Sequence, residues 1–384
     1  MAFQPYLFSS PLSASMSPPS SSPILSSRLH SLDALRGLDM LIILGLDALV
    51  LLLASRNPDS SFLQEAARQM THARWEGLHL YDLVFPVFVF ISGVSMSFSL
   101  AKYAAGNTAL APGLFHLWKR ALVLALLGMI VNGTLTWTED MRYASVLGLI
   151  GISCAIAGTC VLLCRRTGTV AGAAAGILGL IVLLQFTCGN FTPDGSVNSW
   201  VDTRWLPGHL HGGSFDPEGP LCIISASALC LGGWLTGKFL QESRMPPYRL
   251  CFSMMGSGFI LFCSSLMLDS VYPVIKSMWT GTFVLAAAGI SLMVLSLFHL
   301  AIDVWNGRKW AFPLRVIGIN ALAAYLIHAV LHVHELNRRV FSGVADILPS
   351  LRPVLLAASL LLLQWLILFY LYRSGRQRVR TSSK

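Results

Sequence analysis

His72 is the residue best placed by type and setting to do chemistry. It stands in Thr71-His72-Ala73-Arg74-Trp75-Glu76-Gly77, at the end of a polar segment, with His79 and Asp82 shortly after it. Imidazole takes and gives a proton near neutral pH, and its nitrogen can also carry an acyl group. Asp82 opens an apolar run, Tyr81-Asp82-Leu83-Val84-Phe85-Pro86. A carboxylate there caps a helix N-terminus or orients a neighbouring imidazole. Asp47 lies within another apolar run, where ionisable groups are costly and default to functional roles. Asn320, Ala324, His328 and His332 recur every four residues, which predicts one shared helix face. No third ligand stands at a defined spacing from His328 and His332, so this face reads as bundle interior and no metal is expected.

The elements that must position these groups follow from composition. Of 384 residues, 54% are apolar and only 12% charged, about half the charge of an ordinary soluble domain. So little charge cannot cover a water-facing surface, which excludes a soluble enzyme. Apolar runs of about 20 residues, the length of a membrane-crossing helix, fall near 38–54, 80–101, 119–136, 142–164, 168–187, 220–240, 250–268, 278–301, 313–333 and 353–372. The expected fold is all-α: a polytopic bundle of about ten transmembrane helices, with both ends of the sequence on one side.

The net charge of +9 follows this topology and does not point to nucleic acid. Lys and Arg favour the side holding both termini by about two to one, among them Arg36, Lys119, Arg120, Arg165, Arg166, Arg244, Arg308, Arg315 and the 374–384 tail. That bias makes both termini cytoplasmic. Residues 1–27 are Ser/Pro-rich and uncharged, the composition of a disordered tail. Residues 28–373 form the membrane domain.

Two outer segments, 55–79 and 188–219, are too long and too aromatic to be plain connectors. They supply candidate substrate contacts: Trp75 and Glu76 from the first, Trp205, His209, Asp216 and Glu218 from the second. The eight cysteines contain no C-x-x-C pair. Cys188 and Cys222 flank the second outer segment and could close as a disulfide on an oxidising face. Gly172/Gly176 and Gly233/Gly237 are small-x-x-x-small pairs, which serve helix packing within one chain or a homodimer seam.

One stretch is specific enough to resemble a known family. His72-x-x-Trp75-x-Gly77, four residues, then Asp82-Leu83-Val84-Phe85-Pro86-Val87-Phe88-Val89-Phe90-Ile91-Ser92-Gly93 closely resembles the heparan-α-glucosaminide N-acetyltransferase family. Arg28 to Gly37 looks like the family's opening motif. Gly189 to Gly195, Leu206 to Leu210, Phe215 to Gly219, Lys276 to Thr280 and Gly318 to Leu322 match further stretches, so the resemblance runs from about 28 to 330. It implies a multi-pass transferase using cytosolic acetyl-CoA, with a terminal glucosamine amine as acceptor on the far side of the membrane. His72 takes the position of the family's catalytic histidine and Asp82 that of its associated aspartate.

On that resemblance His72 acts as general base within a ternary complex, or carries the acetyl group itself. The expected glycan subsite comprises Asp47, Trp75, Glu76, Trp205, His209, Asp216, Glu218, Asn320 and His328. Asp33, Arg36, Lys119, Arg120 and Arg315 are the expected coenzyme A contacts, since its phosphates call for cations. The expected location is a bacterial inner membrane, with the acceptor site facing the periplasm. Two other readings are an O-acyltransferase of a surface glycan and a transporter or flippase lined by Asp47, Asn320 and His328.

Overall fold

A computed structural model describes residues 29–104, 109–133, 141–331 and 333–382. The tail at 1–27 and His332 lie outside the described residues. In hydrocarbon every backbone amide must be bonded within its own segment, so runs of this length fold as helices. Nine helices long and apolar enough to cross a membrane are present among the described residues. They are α1 (His30–Arg56), α3 (Leu80–Ser99), α4 (Leu110–Val131), α5 (Val146–Cys164), α6 (Thr167–Thr187), α8 (Pro220–Glu242), α9 (Pro247–Leu268), α10 (Gly281–Val304) and α14 (Pro349–Gly375). A bent pair, α11 (Phe312–Ile319) and α12 (Ala321–Val330), meets at 75° and makes a tenth span if the two are counted as one. Short helices α2 (Ser61–Gln69), α7 (Val197–Trp205) and α13 (Val333–Asp346) lie between spans.

The break in the tenth span corrects one expectation from spacing. Asn320 is the hinge, its side-chain amide donating to Val316 O at 3.0 Å and Leu368 O at 3.4 Å. It therefore does not share a continuous face with Ala324 and His328.

Helices α3, α5 and α8 form the buried centre, while α4, α6 and α14 present broad apolar faces outward. Glycines bring backbones together reciprocally. A Cβ on Gly93 would strike the Cys230 carbonyl, and one on Gly233 the Phe90 carbonyl, which locks α3 to α8. Gly37 and Gly318 clasp α1 to α11 in the same way, against Leu314 and Asp33. Small residues at such crossings allow dispersion contact without a hydrophobic driving force. Gly233 and Gly237 are thus spent inside the chain, against α3, whereas Gly172 and Gly176 face open space.

The loops above the bundle are held by buried polar groups. The Gln185 amide donates to Met278 O at 3.0 Å and to Asn198 Oδ1 at 3.2 Å. Tyr272 donates to Gln185 Oε1 and accepts the Gly281 amide at 2.7 Å. This network joins α6, α7 and the 269–280 loop, with Thr280 capping α10 through the Phe283 amide. Cys188 and Cys222 are free thiols, the first exposed and the second buried against Asn198, so the disulfide that their positions allowed is not formed.

Candidate active site

The His72 motif folds back on the first turn of α3. Asp82 caps that turn, its Oδ2 accepting the amides of Ala73 at 3.1 Å and His79 at 3.0 Å. Its Oδ1 lies 2.7 Å from His72 Nδ1. A carboxylate and an imidazole nitrogen approach this closely only with a proton between them, so Nδ1–H donates, and in the neutral ring the lone pair is then on Nε2. Asp82 is buried while the His72 side chain is 49% exposed, which leaves Nε2 open to an incoming molecule. Tyr81 stacks obliquely on the His72 ring at 4.7 Å and faces Asp47 electrostatically.

Gly77 explains the glycine of the motif. Its φ of 104° lies in the left-handed region, which a side chain would strain. Its amide donates to Val274 O at 2.9 Å. That bond ties the motif to the 269–280 loop, and the loop delivers Lys276. Lys276 Nζ lies 3.3 Å from Asp82 Oδ1 and 3.0 Å from His72 Nδ1. Burial holds the Lys276 ammonium below the ordinary lysine range, against the pull of Asp82.

A second polar cluster backs the first. Arg142 grips Asp216 through Nε at 2.8 Å and Nη2 at 2.7 Å, and also bonds Glu218. Asp216 accepts the amides of His211 at 3.1 Å and Glu218 at 3.0 Å as well. The bonds from Arg142 and these amides hold its carboxyl below the usual range although burial pushes the other way. Burial pushes Glu218 up to about 7, with Asp216 adding to the push and Arg142 opposing it. Asp202 accepts the Asp216 amide at 2.9 Å and is likewise pushed to about 7 by burial. His211, Lys276 and His72 are within electrostatic reach of one another, as are Glu218 and Lys276.

The structure therefore gathers His72, Asp82, Asp47, Asp216 and Glu218 around one site. Trp75 closes its flank, donating to Phe191 O at 2.7 Å and meeting Phe215 edge-on at 4.9 Å. Glu76, Trp205 and His209 lie on the exposed rim, where His209 is held by its amide on Met141 O at 2.8 Å. Asn320 and His328 belong to the bent span, packed on α14 through Leu368 and Gln364. Lys276, Arg142, His211, Asp202 and Tyr325 are members that were not among the site residues expected from the sequence. Lys276 stands 204 positions from His72, though it opens one of the stretches that carried the resemblance.

A cavity of about 390 Å³ is lined by Phe85, which lies 5.9 Å from the Lys276 ammonium, and by Tyr325, Asp39, His116, Lys119 and Arg120. A second, of about 380 Å³, shares Phe88, Arg120, Ile150 and Leu322 with it and continues past Ser92 to Arg36. Arg36 is fixed by Ser95 Oγ. Asp33 and Arg315 line neither cavity; Arg315 faces His30 electrostatically, toward the other end of α1. No group of three or more potential metal ligands occurs among the described residues.

Comparison with known proteins supports the resemblance seen in the motifs. A family model described as "Heparan-alpha-glucosaminide N-acetyltransferase, catalytic" matches residues 28–205. The curated human protein named heparan-alpha-glucosaminide N-acetyltransferase is 24% identical over 326 residues, covering 67% of this chain and 48% of that protein. The mouse protein of the same name is 24% identical over 328 residues, covering 68% and 49%. The chain thus spans about half the length of the curated relatives it matches.

Proposed function

Starting from a chain related to the heparan-α-glucosaminide N-acetyltransferases, we propose that it moves the acetyl group of cytosolic acetyl-CoA onto the amine of a terminal glucosamine. The acceptor would stand at the outer face, where the site opens. What supports this reading is the Asp82-held His72, its side chain half exposed, beside Lys276, whose ammonium lies 5.9 Å from Phe85 in the cavity wall.

Thioester aminolysis needs a neutral amine and a base to remove its proton as the tetrahedral intermediate forms. His72 Nε2 takes that proton as the C–N bond forms. Collapse of the intermediate breaks the C–S bond, and the thiol leaves with the proton. Asp82 keeps the imidazole in the tautomer that can act. Glu218 and Asp47 offer carboxylates to an aminosugar, and Trp75 an apolar wall.

The cavities suit the other substrate. Their apolar walls fit a pantetheine arm, and Arg36, Lys119 and Arg120 match its phosphates. On this reading coenzyme A enters from the cytosolic half and its thioester reaches the outer site from below. Both termini are then cytoplasmic, and in a bacterial inner membrane the acceptor side is the periplasm.

The test is transfer from labelled acetyl-CoA to glucosamine and short glucosamine-ended oligosaccharides. His72→Ala should lose about 10²–10⁴-fold of the rate, the usual share of base catalysis, with unchanged elution on size exclusion. Full activity in that variant would remove His72 from the chemistry. O-acylated rather than N-acetylated product would make the acceptor a hydroxyl.

A further inference from the structure

In a simple histidine–carboxylate pair the carboxylate favours the imidazolium by direct attraction. Here the carboxylate is shared among four donors. Oδ2 takes two backbone amides, and Oδ1 takes His72 Nδ1–H and Lys276 Nζ. The two donors on Oδ1 lie only 3.0 Å apart, and since both aim at the carboxylate, neither can accept from the other. The Lys276 side chain is 17% exposed, and its ammonium lies 5.9 Å from the ring of Phe85, which lines the cavity, so water screens it weakly.

We propose that Lys276 is a positioning residue that neutralises Asp82 and so keeps His72 unprotonated at Nε2, ready to take a proton. The consequence for catalysis rests on the reading of His72 as the base. The control of His72 by Lys276 is measurable without it.

The groups around His72 support this balance from every side. Asp82 and Tyr81 face it from α3, Lys276 from the 269–280 loop and His211 from the 206–219 loop. Glu218 reaches Lys276 but is itself bound by Arg142, as is Asp216. Asp47 acts through Tyr81, while Arg68 of α2 engages Glu65 and His79. Among these, Lys276 is the cation that touches both members of the pair.

Diethyl pyrocarbonate modifies unprotonated imidazole, and mass spectrometry of the His72 peptide reads its extent against pH in the purified full-length chain. In Lys276→Met the midpoint of His72 labelling should rise by on the order of one pH unit, because the carboxylate is no longer offset. Lys276→Arg should stay near the wild type. Lys276→Gln provides a second neutral variant should Lys276→Met fail to elute as folded protein. The acid limb of acetyl transfer should move in the same direction as the labelling midpoint. A midpoint in the neutral variants equal to or below that of the wild type overturns the proposal. A raised midpoint in a protein that transfers no acetyl group leaves Lys276 in control of His72 and removes the transferase reading instead.

Discussion

Asp82 and Asp202 are both buried carboxylates, and their surroundings set them to opposite tasks. Four donors meet Asp82, so its charge is compensated and its geometry fixed. Asp82→Asn would keep the size, lose the tautomer control and leave Lys276 unbalanced. Acetyl transfer should fall about 10²–10⁴-fold, in a protein whose elution is unchanged. Asp202 has one amide on Oδ2 and no partner on Oδ1 among the described residues. With its folded value raised to about 7, it contributes stability at low pH that is lost as pH rises toward 7. Asp202→Asn removes that loss, so its melting temperature should exceed the wild type's by about 3–5 °C at pH 8 and converge with it below pH 4. Equal melting temperatures at pH 8 would refute the burial argument. His72 and Asp82 were legible in the sequence because ten positions separate them and a motif joins them. Lys276 was not, because nothing local tells a lone lysine that it will meet a histidine 204 residues away.

At the scale of elements, glycine does two different jobs, and substitution should separate them. Gly77 needs its positive φ to turn the motif toward Val274, with open space where a Cβ would go. Gly77→Val should therefore leave the bundle folded, displace the loop carrying Lys276 and reduce transfer at least about tenfold through misplacement alone. Gly93 has ordinary helical backbone but no room, since a side chain would meet the Cys230 carbonyl. Gly93→Val should push α3 from α8 and lower yield and melting temperature before activity can be asked about. Thermal melting of the two variants side by side decides whether the distinction holds. Ten apolar runs were readable because length and hydropathy suffice to mark a span. The bend at Asn320 was not, because it depends on a side chain bonding across to Leu368 on α14, a tertiary event that leaves the apolar period unbroken.

Across the whole molecule, the proposed reading joins the two cavities, which share Arg120 and Leu322, to the His72 site as one route, with Arg36, Lys119 and Arg120 as its cations. Leu322 borders both cavities, so Leu322→Trp should fill their junction. Transfer from acetyl-CoA should then fall at least about tenfold through lost binding, while His72 remains as reactive to diethyl pyrocarbonate as before. Unchanged transfer would mean that acetyl-CoA reaches His72 another way. The route has physiological meaning only if its two ends face different compartments, an assignment argued from charge and from the family resemblance. Cys188 tests it directly, being exposed next to the outer segment. In intact cells a membrane-impermeant maleimide should label Cys188, whereas Arg244→Cys in a Cys188→Ser background should label only after permeabilisation. The reverse pattern would put His72 in the cytosol with acetyl-CoA, and a far-side glycan acceptor would then be out of reach. Concordant labelling and a cavity-dependent rate would together require the acetyl group to travel through the bundle, because donor and acceptor would stand on opposite faces with His72 between them.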